Sequence, residues 1–229
     1  WAQAFTNIQQ AFNAVMVNND IRLAGGTFWV TSQLAWTNVT NVVVQGGWEG
    51  VGTAPAPGSN NPALWPTIIR RNTAGSNCRI VQISSVTGTL EQVTILNGKL
   101  ASGSPGGGIY VTSSTITFDE CNVVSNEVYG NAQEYMTLYG GGLYTTASGI
   151  VITNCTFLGN RAYGSWRRGY NLGAGACFSG GSASIADSQF LNNNLTGGGS
   201  DAIKDFYSYG GAIYASGPLS IIGSVFLGN

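Results

Sequence analysis

Gly106-Gly107-Gly108-Ile109-Tyr110 returns as Gly140-Gly141-Gly142-Leu143-Tyr144, blurs to Ala174-Gly175-Ala176-Cys177-Phe178 and returns as Gly210-Gly211-Ala212-Ile213-Tyr214. The starts lie 34, 34 and 36 residues apart. Each phrase is followed by a strand-like run that closes on an asparagine, at Asn126, Asn160, Asn193 and Asn229. A fixed period in this range is the signature of a repeat architecture, so these residues decide the fold.

Working back from the closing Asn, the copies align in columns. Ten residues before it stand Ile116, Ile150, Ala183 and Leu219, and eight before it Phe118, Ile152, Ile185 and Ile221. Five before it come Cys121, Cys155, Ser188 and Ser224, and three before it Val123, Phe157, Phe190 and Phe226. Period-two alternation predicts strands, and the three-residue jump between columns predicts a bend. A parallel β-solenoid meets this pattern: each coil hydrogen-bonds to its neighbours about 4.8 Å away, and equivalent inward residues pile into files. Helical repeats fit poorly, because the runs are β-branched and aromatic and are punctuated by Gly, Ser and Asn. The Gly pairs suit positive φ or close approach between coils, and the repeated Asn suits left-handed corners whose amides bond along the stack.

Gly210-Gly211-Ala212-Ile213-Tyr214 followed by Phe226-Leu227-Gly228-Asn229 resembles the paired short motifs of the polymorphic outer membrane protein repeats, within the pectin-lyase-like right-handed β-helix class. The likeness covers residues 86 to 229. It implies a right-handed parallel β-helix and leaves activity open, because that class holds lyases, hydrolases, adhesins and plain surface fibres.

The chain opens on Trp1 without a Met, which suggests a trimmed or excised segment. Ala4, Phe5, Ile8, Ala11, Phe12 and Val15 share one helical face, predicting a short amphipathic helix over residues 2 to 16 that Asn18-Asn19-Asp20 ends. With the Gly25-Gly26 turn after it, this helix resembles the N-terminal cap that plugs β-helices of the class. Less regular coils follow. Val42-Val43-Val44 runs into Gly46-Gly47-Trp48, residues 49 to 66 read as a long Gly/Pro-rich loop, and Thr67-Ile68-Ile69 and Ile80-Val81-Gln82-Ile83 return to strand. Leu90, Val93 and Ile95 then reach the file positions, with Gly98 where the closing Asn would stand.

Composition narrows the function classes. Only 8% of residues are charged and the net charge is −1, so no basic face exists for nucleic acid or anionic lipid. No apolar run approaches the roughly 18 to 20 residues that span a bilayer, which excludes membrane insertion by this segment. The four cysteines lack paired short spacings and His is absent, so neither a zinc site nor any other metal or cofactor is indicated.

Cys121 and Cys155 share a column in consecutive coils, which places their Cα atoms about 5 Å apart and makes them a disulfide candidate. The alternative is a pair of unbonded thiols, since side chains in register on parallel strands point the same way. Cys177 is read as core filler in place of Ile109 or Leu143. Glycosylation acceptor patterns stand at Asn38, Asn154 and Asn194, with Asn194, at the start of a loop, best placed.

Without His, catalysis falls to carboxylates. Glu120 and Asp187 share a column two coils apart, about 9.6 Å between backbones, near the spacing of inverting glycosidases. Asn154 lies between them and no Lys or Arg adjoins, so they read as solvated turn residues and no catalytic residue is assigned. Glu127 and Arg161, one coil apart, read as a surface ion pair.

The segments 127–139, 161–173 and 194–209 leave the stack at one corner and make one loop surface. It carries Tyr129, Tyr135, Tyr139, Tyr163, Trp166, Arg167, Arg168, Tyr170, Phe206, Tyr207 and Tyr209. Aromatics with Arg compose protein contact patches, and flat rings also suit sugar faces; the alternative is that the rings fold back over the flank of the coils. Asn229 closes a motif with Leu219, Ile221 and Phe226 uncovered, from which the sequence predicts continuation beyond that end or a neighbouring subunit.

The resulting expectation is an all-β chain, a right-handed parallel β-helix with a short N-terminal amphipathic capping helix. Residues 1–20 form the cap and residues 21–229 the stack, irregular over 21–100 and regular over 101–229. The functional expectation is a non-enzymatic structural or adhesive module of a secreted or cell-surface protein, in a surface fibre among other forms. Its partners would be other copies met end to end, other surface proteins, or a glycan. The alternative is a carbohydrate-active or carbohydrate-binding β-helix.

Overall fold

The computed structural model describes residues 4–50, 57–101, 103–130, 135–164, 168–197 and 205–229. The chain is nearly all β. Every strand pairing in its four sheets is parallel, and the antiparallel exception is the isolated bridge between Trp48 and Asn60 inside the segment read as a loop.

The first sheet has two halves joined by bends. One half holds Leu34–Thr37, Val81–Ser84 and Ile109–Thr112, and the other holds Asp20–Ala24, Thr40–Trp48, Thr87–Glu91 and Thr115–Asp119. Strands Leu143–Thr153 and Ala176–Ala186 run through both halves, which end at Ile213–Ala215 and Leu219–Ile222. The second sheet stacks Gly26–Val30, Thr67–Arg71, Val93–Leu96, Asn122–Val124, Thr156–Leu158, Gln189–Leu191 and Val225–Leu227. The third stacks Lys99–Ala101, Glu127–Gly130, Arg161–Gly164 and Asn194–Gly197, and the fourth Tyr135–Tyr139, Arg168–Leu172 and Asp205–Tyr209. The later circuits pass through all four sheets in that order and return to the first; among the described residues the third sheet begins at Lys99–Ala101 and the fourth at Tyr135–Tyr139.

The columns pair as their spacing demands. Phe118, Ile152, Ile185 and Ile221 lie in one file, and Val123, Phe157, Phe190 and Phe226 in another. The Phe157 and Phe190 rings stack at 4.6 Å, and Phe190 and Phe226 at 5.2 Å. Burying each such ring contributes about 1.5–3 kcal/mol, and the file continues up from Ile69 and Ile95 in the irregular coils.

The closing asparagines form a one-way ladder, fully buried at Asn126, Asn160 and Asn193 and exposed at Asn229. Asn126 donates its N–H and its Nδ2 to Asn160 Oδ1, Asn160 does the same to Asn193, and Asn193 to Asn229. Each Nδ2 also reaches a carbonyl of the preceding circuit, as Asn160 does to Val123 at 2.8 Å. A buried amide is costly unless its groups are bonded, and here the stack itself supplies the partners. The left-handed corners are not these asparagines. They are the residues just before them, Ser125, Gly159, Asn192 and Gly228, together with Glu120, Asn154, Asp187 and Gly223 at the preceding bend.

Gly106, Gly140, Gly173 and Gly210 all take positive φ, which fixes the register of the third repeat. The repeat begins at Gly173, one residue earlier than its blurred sequence suggests. Ala176 therefore faces Leu143, and Cys177 replaces Tyr144 and Tyr214 rather than Ile109 and Leu143. The following glycines allow close approach: a Cβ on Gly142 would lie 2.5 Å from the Gly175 carbonyl oxygen.

The N-terminal helix is shorter than its apolar face implied, Ile8–Ala14, because Asn7 caps it by accepting from the Gln10 N–H. Ile8, Ala11 and Phe12 are buried, and Phe12 stacks on Trp36 at 5.8 Å. The Gln9 side chain takes both backbone groups of Ala35: its Oε1 accepts from the N–H at 2.7 Å and its Nε2 donates to the carbonyl at 3.0 Å. One amide thus stands in for a neighbouring strand.

Candidate functional site

The segments read as loops after each closing Asn are strands of the third and fourth sheets. Their inward residues Val128, Ala162 and Leu138, with Leu100, Met136 and Leu195, form a second small core. Alternation then sends the intervening residues outward. On the third sheet these make two outer files, Lys99–Glu127–Arg161–Asn194 and Ala101–Tyr129–Tyr163–Thr196.

Glu127 and Arg161 are neighbours in register as expected, but the ion pair forms elsewhere. Lys99 Nζ lies 2.5 Å from Glu127 Oε1, which also accepts from the Tyr163 hydroxyl at 3.2 Å. The hydrogen bond to Glu127 raises the Lys99 pKa. Arg161 instead lies over the Tyr163 ring at 4.7 Å, and Lys99 over Tyr129 at 4.7 Å. The two rings stack on each other at 5.9 Å, and Asn77 donates to the Tyr129 hydroxyl. Ring faces here are occupied by one another and by cations, which leaves edges and polar groups for a ligand.

On the fourth sheet Thr137, Tyr170 and Tyr207 form one file and Tyr139, Leu172 and Tyr209 the next. Tyr170 stacks on Tyr207 at 5.5 Å, and Tyr207 and Tyr209 are each 47% exposed with parallel planes. This is open aromatic ground on the flank of the stack. Tyr139 belongs elsewhere: it turns the corner to Tyr144 at 5.1 Å, in a cluster with Tyr110, Leu172, Cys177 and Tyr214. Burial raises the Tyr144 pKa and pushes Cys177 up to about 12, which keeps that thiol protonated. Trp166 and Arg167 lie outside the described residues, as do the side chains of Tyr135, Arg168 and Phe206. The single predicted surface is thus two outward strips and one semi-buried corner.

Cys121 and Cys155 are adjacent and buried, yet both are free thiols, which corrects the disulfide expectation. Parallel register points both side chains the same way. Cys121 Sγ turns to the Leu90 carbonyl at 3.2 Å and Cys155 Sγ to that of Phe118 at 3.5 Å, while the Cys121 N–H donates to Cys155 Sγ. The Cys121 pKa is raised, first by its bond to Cys155 and then by burial.

The three sequon asparagines are exposed. Asn38 and Asn154 sit at left-handed bends, and Asn154 donates to Asp119 Oδ1. Asn194 opens a strand rather than a loop, and its Oδ1 accepts from the Thr196 hydroxyl.

Glu120 and Asp187 are exposed left-handed bend residues, and Glu120 accepts from Gln92 Nε2 at 3.0 Å. A different carboxylate pair escaped the sequence reading. Glu91 and Asp119 are direct neighbours in register, and the Glu91 pKa is raised by burial and then by Asp119, Glu120 and Asp20. Their 28-residue separation was the available signal, because that circuit has no strand in the fourth sheet among the described residues and is shorter than those that follow. Thr153 and Asn154 both donate to Asp119 Oδ1. Among the described residues no cluster of three His, Cys, Asp or Glu is placed to hold a metal ion. A cleft of about 450 Å³ lies beside the helix, with an apolar lining that includes Ile8, Ile21, Leu23 and Phe28.

No family model, curated protein or solved structure matches this chain.

Proposed function

We propose that the chain is a right-handed parallel β-helix acting as a structural or adhesive module of a secreted or cell-surface protein. Its contact surface is the outer face of the third and fourth sheets. The observation that carries the reading is the unbroken register of the repeats, in which like side chains meet circuit after circuit while Tyr129, Tyr163, Tyr170 and Tyr207 repeat along the outside. Repetition of an outward aromatic and cationic pattern at strand spacing makes an extended surface of many weak contacts rather than one deep site. The likeness to polymorphic outer membrane protein repeats supports the right-handed β-helix and leaves the choice of function to the surface.

Binding of the immobilised intact chain to extracellular proteins and to purified polysaccharides tests this. Retention of a partner without shortening of any polymer is expected, with a loss of at least about tenfold on combining Tyr170→Ala and Tyr207→Ala. Appearance of new sugar ends, abolished by Glu120→Gln, Asp187→Asn or Glu91→Gln, overturns it in favour of a carbohydrate-cleaving enzyme.

A further inference from the structure

We propose that the cleft between segment 6–9 and the strand Gly26–Val30 binds one unit of a neutral glycan, with the Trp29 ring as its platform. The site shares no residue with the outer faces of the third and fourth sheets, so the inference goes beyond the reading above.

The strand places the ring. Gly26–Val30 is the first strand of the second sheet, and Trp29 points outward between Phe28 and Val30, which turn in. The Trp29 side chain is 57% exposed. Its register partner in the next circuit is Arg70, whose guanidinium lies over the ring at 4.5 Å. Arg70 makes no ion pair among the described residues and its Nε is buried without a hydrogen-bond partner, so the ring is what holds it. One ring face is thereby covered, and the opposite face is left to the cleft.

That cleft encloses about 420 Å³, within the roughly 300–1,000 Å³ of ligand pockets. Thr27 and Thr31 stand two residues to either side of Trp29, about 7 Å away along the extended chain. Ser32 follows Thr31, and Thr6 faces them from the other wall. All four are exposed, and no charged residue lines the cleft among the described residues. The open edge is the stack's own, because the first circuit starts at Asp20, after a helix that already packs Ile8, Ala11 and Phe12 into the core.

The lining selects the ligand. An aromatic face flanked by hydroxyls suits a molecule of the reverse pattern, an apolar C–H face edged by hydroxyls, which is a pyranose ring. An alkyl chain would desolvate the threonine hydroxyls without bonding them. A carboxylate or phosphate finds no cation in the lining, since Arg70 reaches the ring from its far side. A single stacked ring in an open cleft gives a Kd on the order of 1 mM.

The test follows the Trp29 indole Nε1–H signal of the intact chain by NMR, assigned by its loss in Trp29→Phe. Neutral disaccharides of glucose, galactose, mannose and N-acetylglucosamine are added in turn. A saturable shift with at least one of them is expected. Saturation transfer to that sugar should show binding weakened at least about tenfold by Trp29→Ala, and about fivefold by Thr27→Val combined with Thr31→Val. The proposal is overturned if none of the four sugars shifts the signal at up to about 10 mM, tenfold above the expected Kd. An equal or larger response to hexanol or to glucuronate overturns it as well, by marking an apolar or an anion site, and so does sugar binding that survives Trp29→Ala. Combining Tyr170→Ala and Tyr207→Ala should leave the Trp29 response unchanged. Loss of the response there would move the sugar to the tyrosine strips and overturn this inference while leaving the adhesive reading standing.

Discussion

The two ends of the stack meet the same physical problem and answer it differently. At the leading end a seven-residue helix lays Ile8, Ala11 and Phe12 over the apolar files, and the Gln9 amide satisfies the backbone of Ala35 as a strand would. At the trailing end Ile221 and Phe226 stand half open and the ladders end in donors. In a stacked repeat each circuit is stabilised by its neighbours, so a circuit covered on both sides is held more firmly than one covered on one side. The contrast separates plugging a core from pairing an edge, because the helix does the first with apolar side chains and Gln9 does the second with one polar group.

The largest expected effect breaks the plug. Phe12→Ala removes a buried ring stacked on Trp36 and should cost about 4 kcal/mol, whereas Phe226→Ala should cost about 1 kcal/mol. Urea denaturation of both variants checks this, and equal losses would erase the distinction between the ends. Next come the ladder amides. Asn160→Ala strips the acceptor from two donors of Asn126 and removes the side-chain donor to the Val123 carbonyl, for a loss of about 3 kcal/mol. Asn229→Ala, with a neighbour on one side only, should lose about 1 kcal/mol in the same measurement.

Of similar size, Gln9→Ala should cost about 1 kcal/mol and speed exchange of the Ala35 amide, leaving amides of the Phe157 strand unchanged. Uniform acceleration across the chain would show that Gln9 supports the helix rather than the edge. The smallest effect concerns Glu91, whose folded pKa is raised by burial and by Asp119, Glu120 and Asp20. A carboxyl harder to ionise in the folded state than in the unfolded one weakens the fold where it is charged, and the penalty disappears once pH falls below its unfolded pKa. Glu91→Gln should therefore raise Tm at pH 7, with the gain shrinking to nothing towards pH 3.5. A gain that persists in acid would assign the effect to packing.

How far the sequence could be read follows from how local each signal was. Phe157, Phe190 and Phe226 were placed in one file by their common offset from the closing Asn, and the structure stacks them. The third repeat slipped by one because Ala174 and Ala176 hide the glycine pattern; the telling residue was Gly173, which keeps the positive φ of its counterparts. The helix start was legible in Asn7, a good cap, but the apolar face alone pointed to residue 2. Cys121 and Cys155 were put side by side correctly, and of the two readings the spacing left open, bridged or unbonded, side-chain direction selects the unbonded one. The strands after each closing Asn read as loops because each is short and their inward residues, such as Val128 and Ala162, are separated by polar and aromatic neighbours. Glu91 and Asp119 were missed because their circuit is six residues shorter than the next, so counting by the regular period never aligned them.

The sequence by itself determined the alternation, the repeat register around the closing asparagines and hence the parallel order of the strands, because those depend on spacing along one chain and on which residues bury well. Only the tertiary structure decided which neighbours share protons and charges. The Lys99–Glu127 pair, the Gln9 cap on Ala35, the unbonded thiols and the Glu91–Asp119 contact each depend on side-chain direction or circuit length, which bring together atoms that no fixed spacing relates.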